Sequence, residues 1–148
     1  FSEFGHLRAG CSMNDVSVDH IGIASESIEA TSGFWELLGF KPVGEHVNDD
    51  QGVRIKMLEG SGSSSRLELL EPLGPDTPIG RFISKRGIGI QQIAVRVGDI
   101  ESTISLLMES GVRMIDEQPV RGVSGSMIAF VHPSSAGGVL VELVEHSN

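Results

Sequence analysis

The chain has 148 residues, 39% of them hydrophobic and 21% charged, with a mean hydropathy of +0.06, the balance of a folded domain and not of a disordered or fibrous chain. With 11 Lys and Arg against 20 Asp and Glu the net charge is −9, which excludes a nucleic-acid binder built on clustered basic residues. No apolar run approaches the ~20 residues that span a bilayer, and the single cysteine, Cys11, rules out an internal disulfide or a multi-cysteine zinc site, so a cytoplasmic location is expected.

The opening run FSEFGHLRAGCS has neither the basic start nor the apolar core of a secretion signal, so residues 1–13 read as a leader or vector-derived segment with Met13 as the natural start. Residues 14–148 read as one domain. Val16–Ala24 alternates apolar residues and predicts a strand. Ser27–Leu38 predicts a helix with Ile28, Phe34, Leu37 and Leu38 on its packed face, closed by Gly39 as a left-handed cap. Strands follow near Lys41–Val47, Val53–Leu58 and Ser65–Leu70. Glu71–Gly89 contains Pro72, Pro75 and Pro78 and a short helix over Ile79–Lys85, and 73–89 is read as a linker. The same series then recurs: a strand at Gln91–Val97, a helix at Asp99–Ser110 closed by Gly111, and strands near Arg113–Ile115, Met127–His132 and Val139–Val144.

Sliding the chain by 72 positions places Asp19–Ala24 on Gln91–Arg96, Ile28-Glu29 on Ile100-Glu101 and Gly39 on Gly111. A shift of 74 places Leu67–Glu71 on Val141–Glu145. Three blocks in one order at nearly one offset mark a duplicated unit. The reading is an α+β fold of two βαβββ modules, about 14–72 and 90–146.

Four polar residues, related by the repeat, interrupt apolar strands: His20 and Gln92 on the first strand of each module, Glu68 and Glu142 on the last. Burying a carboxylate without a partner is expensive, and a divalent cation is the simplest compensation. One nitrogen and three oxygen donors suit octahedral Mn, Co, Ni or Mg.

The runs VDHIGIA, PIGRF with KRGIGI, and GSMIAFVHPSSAGGVLVELVE resemble the methylmalonyl-CoA epimerase family of the vicinal oxygen chelate (glyoxalase-like) superfamily. The resemblance covers Asp15 to Glu145. It implies that His20, Glu68, Gln92 and Glu142 ligate a divalent ion (Co, Mn, Ni, Mg or Zn). It further implies an isomerase that epimerises (2R)/(2S)-methylmalonyl-CoA, or a close acyl-CoA, through an enolate, as a homodimer. Two departures stand out: Gln91-Gln92 replaces the family's usual His pair, and Ile55 stands where some bacterial members carry a proposed general-base Glu.

Two bases on opposite faces of carbon 2 are required by such a reaction. Glu142 or Glu68, loosening as a ligand, is one expected carrier, and Glu45 is the other. Arg81, Lys85, Arg86 and Arg121 are expected to meet the coenzyme A phosphates. His132 is expected to shape the turn before the last strand. A glyoxalase-type isomerase or lyase acting on a thiol hemiacetal, and a member that has lost catalysis and binds a small molecule, are the alternatives compatible with these residues.

Overall fold

The computed structural model describes residues 15–61 and 65–147; the expected leader 1–13 and Cys11 lie outside the described residues. Among the described residues the elements are β1 (Ser17–Ala24), α1 (Ile28–Leu38), β2 (Lys41–Asn48), β3 (Val53–Glu59), β4 (Arg66–Pro72), α2 (Pro78–Arg86), β5 (Gly89–Arg96), α3 (Ile100–Glu109), β6 (Val120–Arg121), β7 (Met127–Val131) and β8 (Leu140–Glu145). This is the expected βαβββ series twice, with a helix between. The chain divides into two compact units, one of His20–Gln92 and one of Asp19 and the residues before it together with Ile93 onward. Among the described residues no helix is long and apolar enough to cross a membrane.

In the unit of His20–Gln92 the strand order is β2-β3-β4-β1, with β2, β3 and β4 antiparallel and β4 parallel to β1. Helix α1 starts where the Ser27 side chain accepts from the Ala30 N–H and the Glu71 carboxylate accepts from the Ile28 N–H at 2.8 Å, so two otherwise orphaned donors are satisfied. It ends at Gly39, whose φ of 117° is one that a side chain disfavours. Ile28 and Trp35 pack on Ile21, Ile23, Leu58, Leu67 and Leu69. The packed stripe is therefore buried Ile28 and Ser32 with half-buried Trp35, at helical spacing, while Phe34, Leu37 and Leu38, expected on the packed face, are exposed.

The linker 73–89 turns out to cover a sheet face. Thr77 caps α2, its hydroxyl accepting from the Gly80 N–H, and Pro78 suits the first helical turn because its missing N–H costs nothing there. Ile79, Phe82 and Ile83 then pack on Ala24, Val53, Ile55 and Leu70, the face opposite α1.

In the other unit β5, β8, β7 and β6 lie in that order, and α3 packs Ile100 and Ile104 on Val97, Ala129, Val131 and Leu143. The repeat is physical as well as textual. Glu145 accepts from the Ile100 N–H at 2.8 Å as Glu71 does from Ile28, and Val97 N–H reaches the Val144 carbonyl as Ser25 N–H reaches that of Leu70. His146 meets buried Asp19 at 2.7 Å, tying the start of β1 to the end of β8.

One expected strand is replaced. Arg113–Ile115 forms only a single bridge, Met114 to Val131, and the short β6 takes the outer place instead. The Ile115 and Asp116 N–H groups both donate to the Phe130 carbonyl, which breaks the ladder's alternation, and Pro119 brings no N–H to continue it.

Candidate active site

Strand register decides which side chains meet. Gly22 lies opposite Glu68 in the parallel β1–β4 pair, and residues paired across a ladder project to one face, as do alternate residues along a strand. His20, Gly22 and Glu68 therefore share the face that α1 leaves uncovered. His20 Nε2 lies 3.5 Å from Glu68 Oε2, with only 10% and 17% of the two side chains exposed. The Gln92 side chain crosses the same face: a methyl group at Gly22 would sit 2.8 Å from Gln92 Cγ and 3.2 Å from Leu70 Cδ1. Glycine at position 22 is what leaves room for Gln92 there.

Three of the four expected ligands are thus brought together. Among the described residues no three His, Cys, Asp or Glu side chains form a group that could hold a metal ion. The donors gathered in this unit are one imidazole, one carboxylate and one amide, and their chemistry fits a borderline-to-hard divalent cation with water completing its shell. The fourth, Glu142, stands on β8 opposite Phe130. Its neighbour Leu143 is buried beneath α3 beside Ala129, so Glu142 faces away from α3 as Glu68 faces away from α1. Gln91, which precedes Gln92 and has the opposite parity on β5, has a buried amide oxygen without a hydrogen-bond partner.

Glu45 is the other expected proton carrier. It pairs in register with Lys56, on the α1 side of the sheet, opposite the face of His20 and Glu68. There Arg54 gathers Glu45 at 3.2 Å, Glu71 at 3.4 Å and Glu29 at 3.6 Å. The hydrogen bond to Glu45, then the charge of Glu71, raises the Arg54 pKa above its ordinary value. In this arrangement Glu45 is engaged by the Arg54 guanidinium on the α1 side. Beside it, Lys56 meets Glu36 at 3.3 Å, and the Ser32 hydroxyl followed by Lys56 lowers the Glu36 pKa.

The residues of β2 that do share the face of Glu68 are Lys41, Gly44, His46 and Asn48, with His46 opposite Ile55. Sequence reasoning did not place His46 there, because only the register with β3 distinguishes its face from that of Glu45.

Of the expected phosphate-binding residues, Arg81, Lys85 and Arg86 are exposed on α2. Arg81 donates to the Asp76 carbonyl, and Lys85 and Arg86 occupy the last turn, where the helix dipole favours cations. Arg121 is exposed on β6, in the other unit. His132 Nδ1 accepts from the Ser134 N–H at 3.0 Å and so shapes its turn, as expected.

The paired βαβββ modules and this donor-bearing face define a class. Residues 19–130 match the family model described as Glyoxalase/Bleomycin resistance protein/Dioxygenase superfamily, so the fold is the α+β vicinal oxygen chelate fold. A methylmalonyl-CoA epimerase from Mycobacterium tuberculosis, solved as a crystal structure, is 42% identical with a TM-score of 0.78, over 88% of each chain. A methylmalonyl-CoA epimerase in complex with methylmalonyl-CoA and NH4+ is 38% identical with a TM-score of 0.75, over 88% of this chain and 94% of that one. The mitochondrial methylmalonyl-CoA epimerase of Bos taurus is 32% identical over 140 residues, 93% of this chain and 79% of that protein. The chain belongs to the methylmalonyl-CoA epimerase family, and it is an enzyme of the epimerase class.

Proposed function

We propose that this enzyme inverts carbon 2 of (2R)/(2S)-methylmalonyl-CoA, or of a close acyl-CoA, using a divalent cation held by His20, Glu68 and Gln92. The observation that carries the reading is the His20–Glu68 pair, 3.5 Å apart on a sheet face also crossed by Gln92. The family's solved complex with methylmalonyl-CoA supports the choice of substrate.

The carbon-2 proton is acidified by a thioester and a carboxylate, and its removal gives an enolate. Inversion then requires a proton to return on the opposite side, so residues on both sides must carry protons. A bound cation supplies Lewis-acid stabilisation of the enolate charge and fixes the substrate's orientation. In this reading Glu68 or Glu142, loosening as a ligand, is one proton carrier. Ile79, Phe82 and Ile83 of α2 keep one end of this face apolar, which excludes water from the enolate. On the exposed side of the same helix, Lys85 and Arg86 give a chain of net charge −9 a local positive region for the phosphates of coenzyme A.

Incubating the cation-loaded protein with one pure epimer of methylmalonyl-CoA tests the reading. Conversion to a mixture of both epimers is expected, and persistence of the starting epimer with cation bound overturns it.

A further inference from the structure

We propose that Met57 is the wall against which the carbon-2 alkyl group of the substrate packs, so that its side chain sets how large a substituent the enzyme accepts; this rests on the epimerase reading above. Register joins four strands in one row of the candidate site: Gly22 of β1, Glu68 of β4, Met57 of β3 and Gly44 of β2. Residues so paired project to one face, and directly opposed antiparallel neighbours have Cβ atoms about 4.5–5.5 Å apart. Met57 is therefore the immediate neighbour of Glu68 on the side away from Gly22. It is half-buried, while Leu58, which follows it, is fully buried beneath α1 on the opposite face.

The rows on either side offer the alkyl group no equivalent place. Toward α2 the next row is Ala24, Leu70, Ile55 and His46, and its apolar members are already packed under Ile79, Phe82 and Ile83, with Ala24 1% and Leu70 5% exposed. In the other direction the row is Arg66, Glu59 and Lys41, where an alkyl group would strip water from charged side chains. Met57 is the apolar side chain between these two rows and beside Glu68. Beyond it Gly44 has no side chain, and a methyl group placed there would meet nothing within 4 Å. The Met57 side chain is thus what stands between Glu68 and open space over β2.

A malonyl thioester presents its oxygens to the polar side of such a site and its one alkyl group to whatever apolar surface adjoins it. Methionine is unbranched and polarizable, so it fills an irregular gap against a small alkyl group. Its length fixes the limit, because a shorter residue joins the alkyl space to the open volume at Gly44. One methylene in an apolar pocket changes kcat/KM by about 10–200-fold. The relative use of ethylmalonyl-CoA and methylmalonyl-CoA therefore reports this wall directly.

The test uses the full cation-loaded chain as wild type, M57A and the double variant M57A/G44L, with methylmalonyl-CoA and ethylmalonyl-CoA as substrates. Malonyl-CoA, which has no alkyl group, serves as a binding probe in titration calorimetry. M57A is expected to raise the ethyl-to-methyl ratio of kcat/KM by at least about 10-fold, while binding malonyl-CoA within about 3-fold of wild type. Because position 44 is the register neighbour of position 57, G44L should refill the opened space and return the ratio to within about 3-fold of wild type. A ratio in M57A within about 3-fold of wild type overturns the proposal, as does equal weakening toward all three thioesters or a double variant as permissive as M57A. A wild-type chain that inverts neither substrate overturns the epimerase reading itself, whereas an active wild type with an unchanged ratio in M57A overturns the role of Met57 alone.

Discussion

The His20 imidazole and the Glu68 carboxylate stand 3.5 Å apart on the face of the β1–β4 pair that α1 leaves uncovered. The proposed divalent cation would compensate the cost of keeping an imidazole and a largely covered carboxylate side by side there. Titration calorimetry with Mn or Co should show His20→Ala and Glu68→Gln weakening binding by more than the roughly 10-fold typical of outer partners. Gln92→Ala, which removes a neutral donor, should weaken it by about 10-fold. Unchanged affinity in Gln92→Ala removes Gln92 from the ligand set.

Gly22 gives a sharper probe of the same site, because it changes no donor. A methyl group there meets Gln92 Cγ at 2.8 Å and Leu70 Cδ1 at 3.2 Å. Gly22→Ala should cost about 1–3 kcal/mol of stability by overpacking, and it should displace the Gln92 amide. Denaturant unfolding without cation reads the first effect. A fall in cation affinity close to that of Gln92→Ala reads the second.

Arg54 organises the opposite face, and Glu45 is one of its three carboxylate neighbours. Glu45→Gln should leave epimerisation within about 2-fold of wild type. Both side chains are substantially exposed, at 31% and 51%, so solvent screening keeps the coupling small in a double-mutant cycle with Arg54→Met. A 100-fold loss of activity would return Glu45 to the site.

Glu36 sets an acid dependence. Its pKa is lowered from the ordinary value of 4.5 by the Ser32 hydroxyl and by Lys56. A depressed folded-state pKa contributes stability that is present above the unfolded value and lost as pH falls through the folded value. Thermal melts of wild type and Glu36→Gln should therefore differ at pH 7, with wild type the more stable, and converge as the pH falls from 4.5 through the lowered folded-state value. A constant difference across that range would contradict the assignment.

Much of the fold is legible in the sequence because the duplication repeats its physics. Leu67–Glu71 and Val141–Glu145 end in the same glutamate, and each glutamate does the same work, accepting from the first N–H of its helix at Ile28 or Ile100. The polar residues within apolar strands, His20, Glu68, Gln92 and Glu142, likewise show their strand faces in the sequence, since alternation in a half-buried strand reports its faces. That signal fails on β2, where Lys41 to Val47 are all exposed and no buried partner tells odd positions from even. Hence the faces of Glu45 and His46 cannot be told apart until register with β3 assigns them. The stretch near Met114 fails for another reason: its pairing with Val131 is a single bridge, and a ladder that short carries no period to read.

The most direct measurement is proton exchange at carbon 2 of methylmalonyl-CoA in deuterium oxide, followed by mass spectrometry with the cation-loaded protein. Deuterium entering carbon 2 of either epimer well ahead of a protein-free control, with inversion accompanying it, is the predicted result. Exchange no faster than the control, with the fold intact and the cation bound, would contradict it.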